Sequence, residues 1–170
     1  VVIGNPPYSG VSSNNGPWIN ELLRKPLSDE TGSYFEFDGS RLDEPNTRWL
    51  NDDYVKFLRL GQSIIAMSRV GIQGMITNHS WLDNPTFRGM RQSVSTTFRH
   101  EYLLDLHGNV KKKETSSDGS KDENVFDIQQ GVAISLMVAL KKETVIRHSD
   151  LYGLRDDKYQ ELNSAEVNGV

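Results

Sequence analysis

The chain has 170 residues, with 19 Lys and Arg against 23 Asp and Glu and a formal net charge of −4. This length fits one domain, and the 36% apolar and 25% charged residues exclude a collagen-like chain, a coiled coil and a fully disordered chain. There is no cysteine, which excludes disulfides, zinc–thiolate sites and thiol nucleophiles, and we predict no metal site. No apolar run reaches the roughly 18–20 residues of a membrane span, so we expect no membrane partner.

The first part of the chain predicts one short strand followed by a long loop. Val1 to Ile3 is a β-branched run that is typical of the end of a buried strand. Because the chain opens inside this strand, without a Met or a signal peptide, we expect it to be cut from a longer polypeptide. Residues 9–53 are rich in Pro, Gly, Ser and Asn and predict a functional loop or insertion, with at most a short helix near residues 18–24.

The rest of the chain alternates between helix and strand patterns. Asp52 and Asp53 predict the N-cap and first turn of a helix that ends at Gly71. Further strands are predicted over residues 72–77, 101–106, 132–140 and 144–149, and further helices over residues 86–98 and 156–162. Residues 109–124 predict a solvated loop or hairpin tip. This alternation favours an α/β fold with a mostly parallel sheet.

The sequence Asn5-Pro6-Pro7-Tyr8 directly follows the first strand, at the end where open α/β sheets bind their ligands. Its chemistry suits the activation of a planar exocyclic amine such as that of adenine. The side-chain oxygen of Asn5 and the carbonyl oxygen of Pro6 are acceptors for the two amine hydrogens, and the two prolines hold these acceptors in place. Tyr8 offers a flat face on which a base can stack, worth about 1–3 kcal/mol. The alternative is a plain tight turn after a strand.

The segment VVIGNPPYSG resembles motif IV of the amino-methyltransferases, the adenine-N6 and cytosine-N4 DNA enzymes that use S-adenosyl-L-methionine. Four further segments resemble the large single-chain bacterial restriction–modification enzymes of type ISP and their relatives: LNDDYVKFLRLGQSII, GIQGMITNHSWLDNPTFRGMRQSV, LLDLHGN and DENVFDIQQGVAISLMV. The resemblance implies that residues 1–143 are the catalytic C-terminal half of a Rossmann-like S-adenosylmethionine-dependent methyltransferase domain with a mixed sheet. Residues 144–170 would begin the following segment, which leads to target recognition.

The resemblance also implies roles for single residues. Asn5 and Pro6 would hold the target amine, with Pro7 completing the catalytic tetrapeptide, and Tyr8 would stack on a base flipped out of the duplex. Phe126, in VFDIQQGVAISLMV, resembles the residue that packs on the other face of that base. A plain core Phe at a strand start is the alternative.

Asn78 and His79 follow the strand predicted over residues 72–77 and are candidates for lining the base pocket. A turn cap and a hydrogen-bonded core histidine are the alternatives. Basic residues are candidate phosphate contacts, or else a solvated face: Arg88, Arg91, Arg99 and Lys111 to Lys113.

The function implied is site-specific DNA methylation at adenine within a restriction–modification system of a bacterial cytoplasm, with double-stranded DNA as partner. The family's Gly-rich cofactor turn and its acidic ribose partner are not in this sequence, so only Asn5 is expected beside the cofactor. The remaining partners would be a cofactor-binding half and nuclease and translocase regions on the same polypeptide, and we expect the isolated chain to be inactive.

Two other functions stay open. One is methyl transfer by the same fold to cytosine-N4, to a guanine amine in RNA or to a glutamine amide in a protein. The other is a non-catalytic DNA-recognition or scaffold module, against which the intact tetrapeptide argues, because binding alone needs no amine clamp.

Overall fold

The computed structural model describes residues 1–8, 12–116, 118–140 and 144–164. It contains seven strands in the described residues: β1 (Val2–Gly4), β2 (Glu36–Phe37), β3 (Ser40–Arg41), β4 (Gly71–Asn78), β5 (His100–His107), β6 (Val132–Ala139) and β7 (Val145–Asp150). Five of them form one mixed sheet in the order β1-β4-β6-β5-β7, and β2 and β3 form a separate antiparallel pair. The pairs β1–β4 and β5–β7 are parallel, whereas β6 runs antiparallel to both β4 and β5. The mixed α/β architecture is therefore confirmed.

Within the described ranges, four α-helices accompany the sheet: α1 (Pro17–Arg24), α2 (Asp53–Ser68), α3 (Arg88–Thr97) and α4 (Arg155–Ser164). The start of α2 after Asp52 is as predicted, but its end is not. The helix stops at Ser68 because Arg69 takes the left-handed conformation (φ 61°) that closes a helix, and Gly71 already belongs to β4. The third helix also starts later than predicted, since a 3₁₀ turn (Pro85–Phe87) precedes it.

The stretch predicted as a loop over residues 9–53 is more ordered than the sequence indicates. Its described part holds α1, as predicted, together with the β2–β3 pair and a 3₁₀ turn (Thr47–Asn51), while residues 9–11 lie outside the described residues. The guanidinium of Arg59 in α2, which is fully buried, donates to the backbone carbonyls of Leu22, Lys25 and Gly32. These carbonyl groups are therefore paired with a buried cation and not with the backbone of a strand or helix. The composition of the segment does not reveal such an interaction.

The two faces of the sheet differ in how far they are covered. One face carries the main apolar core, in which Met75 and Met137 pack with side chains of α2 and α3 such as Leu58. On the other face Ile3 is 82% exposed and Leu136 is 43% exposed. Near one end of this second face, a smaller apolar cluster of Leu106, Val125 and Val132 receives residues of the loop before β6 and of α4.

Helix α4 is fixed to the sheet by a buried ion pair. Lys158 lies 2.7 Å from Asp122 and donates to the carbonyl of Leu106 at the end of β5. Both β7 and α4 lie beyond the boundary expected at residue 143, and the sheet continues across it because β7 pairs with β5. The division into two functional segments stays a prediction. In the described part of the chain, no helix is both long and apolar enough to cross a membrane.

The strand directions bring several chain segments to one edge of the sheet. Strands β1, β4, β5 and β7 all end at this edge, and the antiparallel β6 begins there, with Val132 opposite both Asn78 and His107. The tetrapeptide after β1, the turn after β4 and the loop after β5 therefore share this carboxyl edge.

Candidate functional site

The turn after β1 exposes Asn5 to solvent, while Pro6 and Tyr8 of the same turn pack into the protein. Asn5 and Pro7 are exposed, whereas Pro6 is buried and Tyr8 is half-buried. The hydroxyl of Tyr8 donates to Oδ1 of Asn5 at 2.9 Å, and the Tyr8 ring meets that of Tyr54 edge to face, with centroids 6.4 Å apart. Burial raises the pKa of Tyr8 to about 12, so its phenol stays neutral and remains a donor. The Asn5 oxygen is thus oriented and keeps a second lone pair for a ligand.

Asn78 closes β4 and caps the next turn. Its Oδ1 accepts a hydrogen bond from the backbone N–H of Ser80 at 2.9 Å, which starts the 3₁₀ turn His79–Trp81. Asn78 also lines a cavity of about 340 Å³ at the carboxyl edge. The other lining residues are Trp49, Asp52, Tyr54, Ser80, Asn84, Phe87, Asn109, Lys111, Lys112 and Gln130. Because Tyr54 touches Tyr8, this cavity is adjacent to the tetrapeptide.

His79 is 3% exposed and lies below that surface. Its Nδ1 is 3.0 Å from Oδ1 of Asp105, and its Nε2 is 3.1 Å from Nδ2 of Asn109. A carboxylate can only accept, so Nδ1 carries the proton and Nε2 accepts from the amide. The structure brings His79 beside the cavity wall residue Asn109, but the ring itself does not line the cavity. Its role in a base pocket stays a prediction.

Phe126 lies in the loop before β6 and does not start a strand. Its backbone N–H donates to Oδ1 of Asn124, which fixes the loop. The Phe126 ring is half-buried against the smaller apolar cluster, on which Tyr8 also packs. It lines an open groove of about 860 Å³ together with Ile128 and Arg155. The two aromatic residues thus share one apolar cluster, while Phe126 lines a different depression from Asn78.

Most of the candidate phosphate-binding residues have partners within the chain. Arg88 pairs with Glu44, and Arg91 donates to the backbone carbonyls of Trp81 and Asn84. Lys111 and Lys112 are exposed and line the cavity, and Lys112 also has a partner, Asp83, at 3.6 Å.

A polar cluster that sequence reasoning did not single out lies at the same edge. Asp105 binds His79, and its Oδ1 accepts the backbone N–H of His107. Burial by itself raises the pKa of Asp105, but the hydrogen bonds from His79 and His107 and their nearby rings outweigh it, so the pKa lies below its usual value. His107 in turn binds Asp150 at 2.8 Å and stacks on Tyr152. The segment LLDLHGN contains Asp105 and His107, but His79 and Asp150 come from other elements. The sequence therefore did not show that these side chains lie together.

No family model matches this chain, and no curated protein matches it. Solved structures do match it, among them the following three. The DrdV–DNA complex is 26% identical with a TM-score of 0.76, over 99% of this chain and 16% of that chain. The ATP-dependent Type ISP restriction–modification enzyme LlaBIII bound to DNA is 30% identical with a TM-score of 0.71, over 94% of this chain and 10% of that chain.

A nuclease-deletion mutant of the Type ISP restriction–modification enzyme LlaGI, in complex with a DNA substrate mimic, is 23% identical. Its TM-score is 0.71 over 95% of this chain and 13% of that chain, and at this identity the likeness shows the fold alone. The chain therefore spans between 10% and 16% of these proteins. Its mixed α/β sheet is similar to one part of Type ISP restriction–modification enzymes.

Proposed function

We propose that this chain is the part of a site-specific DNA methyltransferase, within a restriction–modification system, that holds the amine of a target adenine. The observation that carries the proposal is the exposed Asn5 at the carboxyl edge, with its oxygen oriented by Tyr8. The likeness to DNA-bound restriction–modification enzymes supports the class of substrate. An antiparallel β6 between β4 and β5 supports the assignment to the catalytic half of the domain.

In this proposal the residues of the turn act on the amine directly. Asn5 accepts one amine hydrogen and the carbonyl of Pro6 accepts the other, which concentrates the nitrogen lone pair and makes the amine a better nucleophile. The hydroxyl of Tyr8 keeps the Asn5 oxygen in place, and the half-buried ring offers a stacking face.

The residues present fit one wall of a site for S-adenosyl-L-methionine. Asn5 is exposed, and the side chain of Ile3 on β1 is 82% exposed, so a ligand can approach the end of β1. The bound cofactor would supply an electrophilic methyl group. Of the described residues we assign only Asn5 to this wall, and we expect the chain by itself neither to bind the cofactor measurably nor to methylate DNA.

Extrusion of the base from the duplex explains the aromatic residues near the turn. Removing a base from its stack costs a few kcal/mol, and stacking on Tyr8 and Phe126 would offset that cost. The cavity beside Asn78 has exposed lysines at its rim, Lys111 and Lys112, which suit backbone phosphates.

The test is transfer of labelled methyl groups to duplex DNA by the polypeptide that contains this segment. We expect Asn5→Ala to lower the rate by about 10²–10³-fold, the effect of removing one preorganised hydrogen-bonding group from an active site. DNA binding should largely survive, because Asn5 contributes little to phosphate contacts. The matched control is Asn163→Ala, an exposed asparagine on α4. An Asn5→Ala rate close to that of the control would refute the assignment.

A further inference from the structure

Three side chains that the proposed function does not use converge beneath the carboxyl edge. A ring nitrogen of His79, a ring nitrogen of His107 and a carboxylate oxygen of Glu114 lie within 4.8 Å of one another. Nδ1 of His107 is 3.7 Å from Oε1 of Glu114. Atoms at this separation can both bind one ion at the roughly 2.0–2.2 Å bond lengths of metal-bound nitrogen and oxygen.

His107 contributes a buried lone pair with no local use. The residue is 8% exposed, and its Nδ1 has no hydrogen-bond partner among the described residues. Its Nε2 is 2.8 Å from Oδ1 of Asp150, so the proton is on Nε2 and the lone pair is on Nδ1. Tyr152 stacks on the ring at 3.8 Å and fixes its plane. A buried polar atom without a partner calls for an explanation, and a bound ion is one.

His79 repeats this arrangement. Its Nδ1–H donates to Asp105, which leaves the Nε2 lone pair facing the Asn109 amide. The amide orientation is fixed because Oδ1 of Asn109 accepts from the backbone N–H groups of Lys111 and Lys112. Each histidine therefore donates one ring N–H to a carboxylate, as metal-binding histidines commonly do. Binding an ion at Nε2 would replace one neutral hydrogen bond.

The carboxylate of Glu114 is also fixed by a hydrogen bond that leaves one oxygen available for an ion. Its Oε2 accepts the backbone N–H of Asn109 at 2.8 Å, which directs Oε1 towards His107. The carboxylate is thus oriented by one oxygen and offers the other.

We propose that His79, His107 and Glu114 together bind a divalent transition-metal ion, with Zn²⁺ as the ion best suited to two imidazoles and one carboxylate. The ion would join the turn after β4, the end of β5 and the loop after β5. The sequence analysis predicted no metal site, because the three ligands are dispersed along the chain and none of them is a cysteine.

The experiment titrates the chain, first stripped with a chelator, with Zn²⁺ by calorimetry and with Co²⁺ by visible absorption. We expect one ion per chain and a Co²⁺ d–d band. His107→Ala and Glu114→Gln should weaken binding by more than the roughly 10–100-fold caused by changes to residues that only contact the ligands. The matched control is His100→Ala: its Nε2 is also buried without a hydrogen-bond partner in the described residues, but it lies at the opposite end of β5. This control should bind like the original chain.

Two further measurements are needed. The first distinguishes loss of metal binding from loss of folding, and the second distinguishes the proposed ligands from a neighbouring group of possible ligands. Zn²⁺ should raise the Tm of the original chain and of His100→Ala, but not that of a folded Glu114→Gln variant. Asp105, His107 and Asp150 also lie within 4.8 Å of one another. If Asp150→Asn abolishes binding while Glu114→Gln leaves it unchanged, the proposed ligand set is wrong. A folded chain that binds neither ion also overturns the proposal, whatever the methylation assay shows.

Discussion

Two polar regions lie on the same edge of the sheet and differ in almost every physical respect. The tetrapeptide after β1 is contiguous in sequence, and its Asn5 is exposed. The cluster of His79, Asp105, His107 and Glu114 is assembled from the turn after β4, from β5 and from the loop after β5, and both its histidines are buried. The first region can reach a ligand without moving, whereas the second supports its surroundings. Chemistry on a substrate is therefore expected at the first and stability at the second.

The largest expected difference between the two regions is in the free energy of unfolding. Asp105→Ala removes the carboxylate that accepts from Nδ1–H of His79 and from the backbone N–H of His107. Each buried donor left without an acceptor costs about 1–3 kcal/mol, so we expect a loss of about 2–6 kcal/mol. Asn5→Ala, at an exposed position, should change stability by no more than about 0.5 kcal/mol. Urea unfolding of both variants in chelator measures this. Equal stability of the two variants would remove the contrast.

Gly131 directly precedes β6 and packs against His79, so its substitution tests how tightly the cluster is packed. An added Cβ would lie 2.5 Å from the ring of His79, whose backbone N–H donates to the carbonyl of Gly131. We expect Gly131→Ala to destabilise the chain by about 1–3 kcal/mol through overpacking. Gly32→Ala is the matched control, since its added Cβ would meet nothing within 4 Å. Thermal unfolding compares them, and a similar Tm for both variants would show that the His79 ring can yield.

The exposed region is tested by base extrusion in the polypeptide that contains this segment. Tyr8→Ala and Phe126→Ala should each weaken extrusion by about 1–3 kcal/mol, the value of one stacking partner. Tyr8→Phe and Phe126→Trp should be milder, because each keeps an aromatic face. Fluorescence of 2-aminopurine at the target position reports extrusion. An unchanged signal in Phe126→Ala would mean that Phe126 serves only the apolar cluster.

The same contrast explains what could be predicted from the sequence. Local patterns indicated the five strands of the main sheet and the four α-helices of the described residues, since apolar spacing, β-branched runs and turn residues are local signals. The hairpin β2–β3 and the end of α2 were not predicted, because the hairpin is bonded to α3 through Asp38 and Gln92, and α2 is closed by the left-handed Arg69. The tetrapeptide was recognisable because its chemistry is contiguous. The cluster around Asp105 was not, because its members come together only through the pairing of β6 with β4 and β5 and of β5 with β7.

The smallest effect on stability is expected at β1, where the exposed region meets the sheet margin. In the described sheet β1 pairs only with β4, and Ile3 is 82% exposed. An apolar outer strand with unpaired backbone groups tends to pair with another chain, so we expect self-association that grows with concentration. Ile3→Lys should suppress it, because a charged side chain on an outer strand opposes pairing, while changing the free energy of unfolding by no more than about 0.5 kcal/mol. Met67→Lys, at a 78% exposed position on α2, is the control and should still associate. Gel filtration of the original chain and of both variants over a concentration series measures association. If the original chain is a monomer at every concentration, β1 does not drive association.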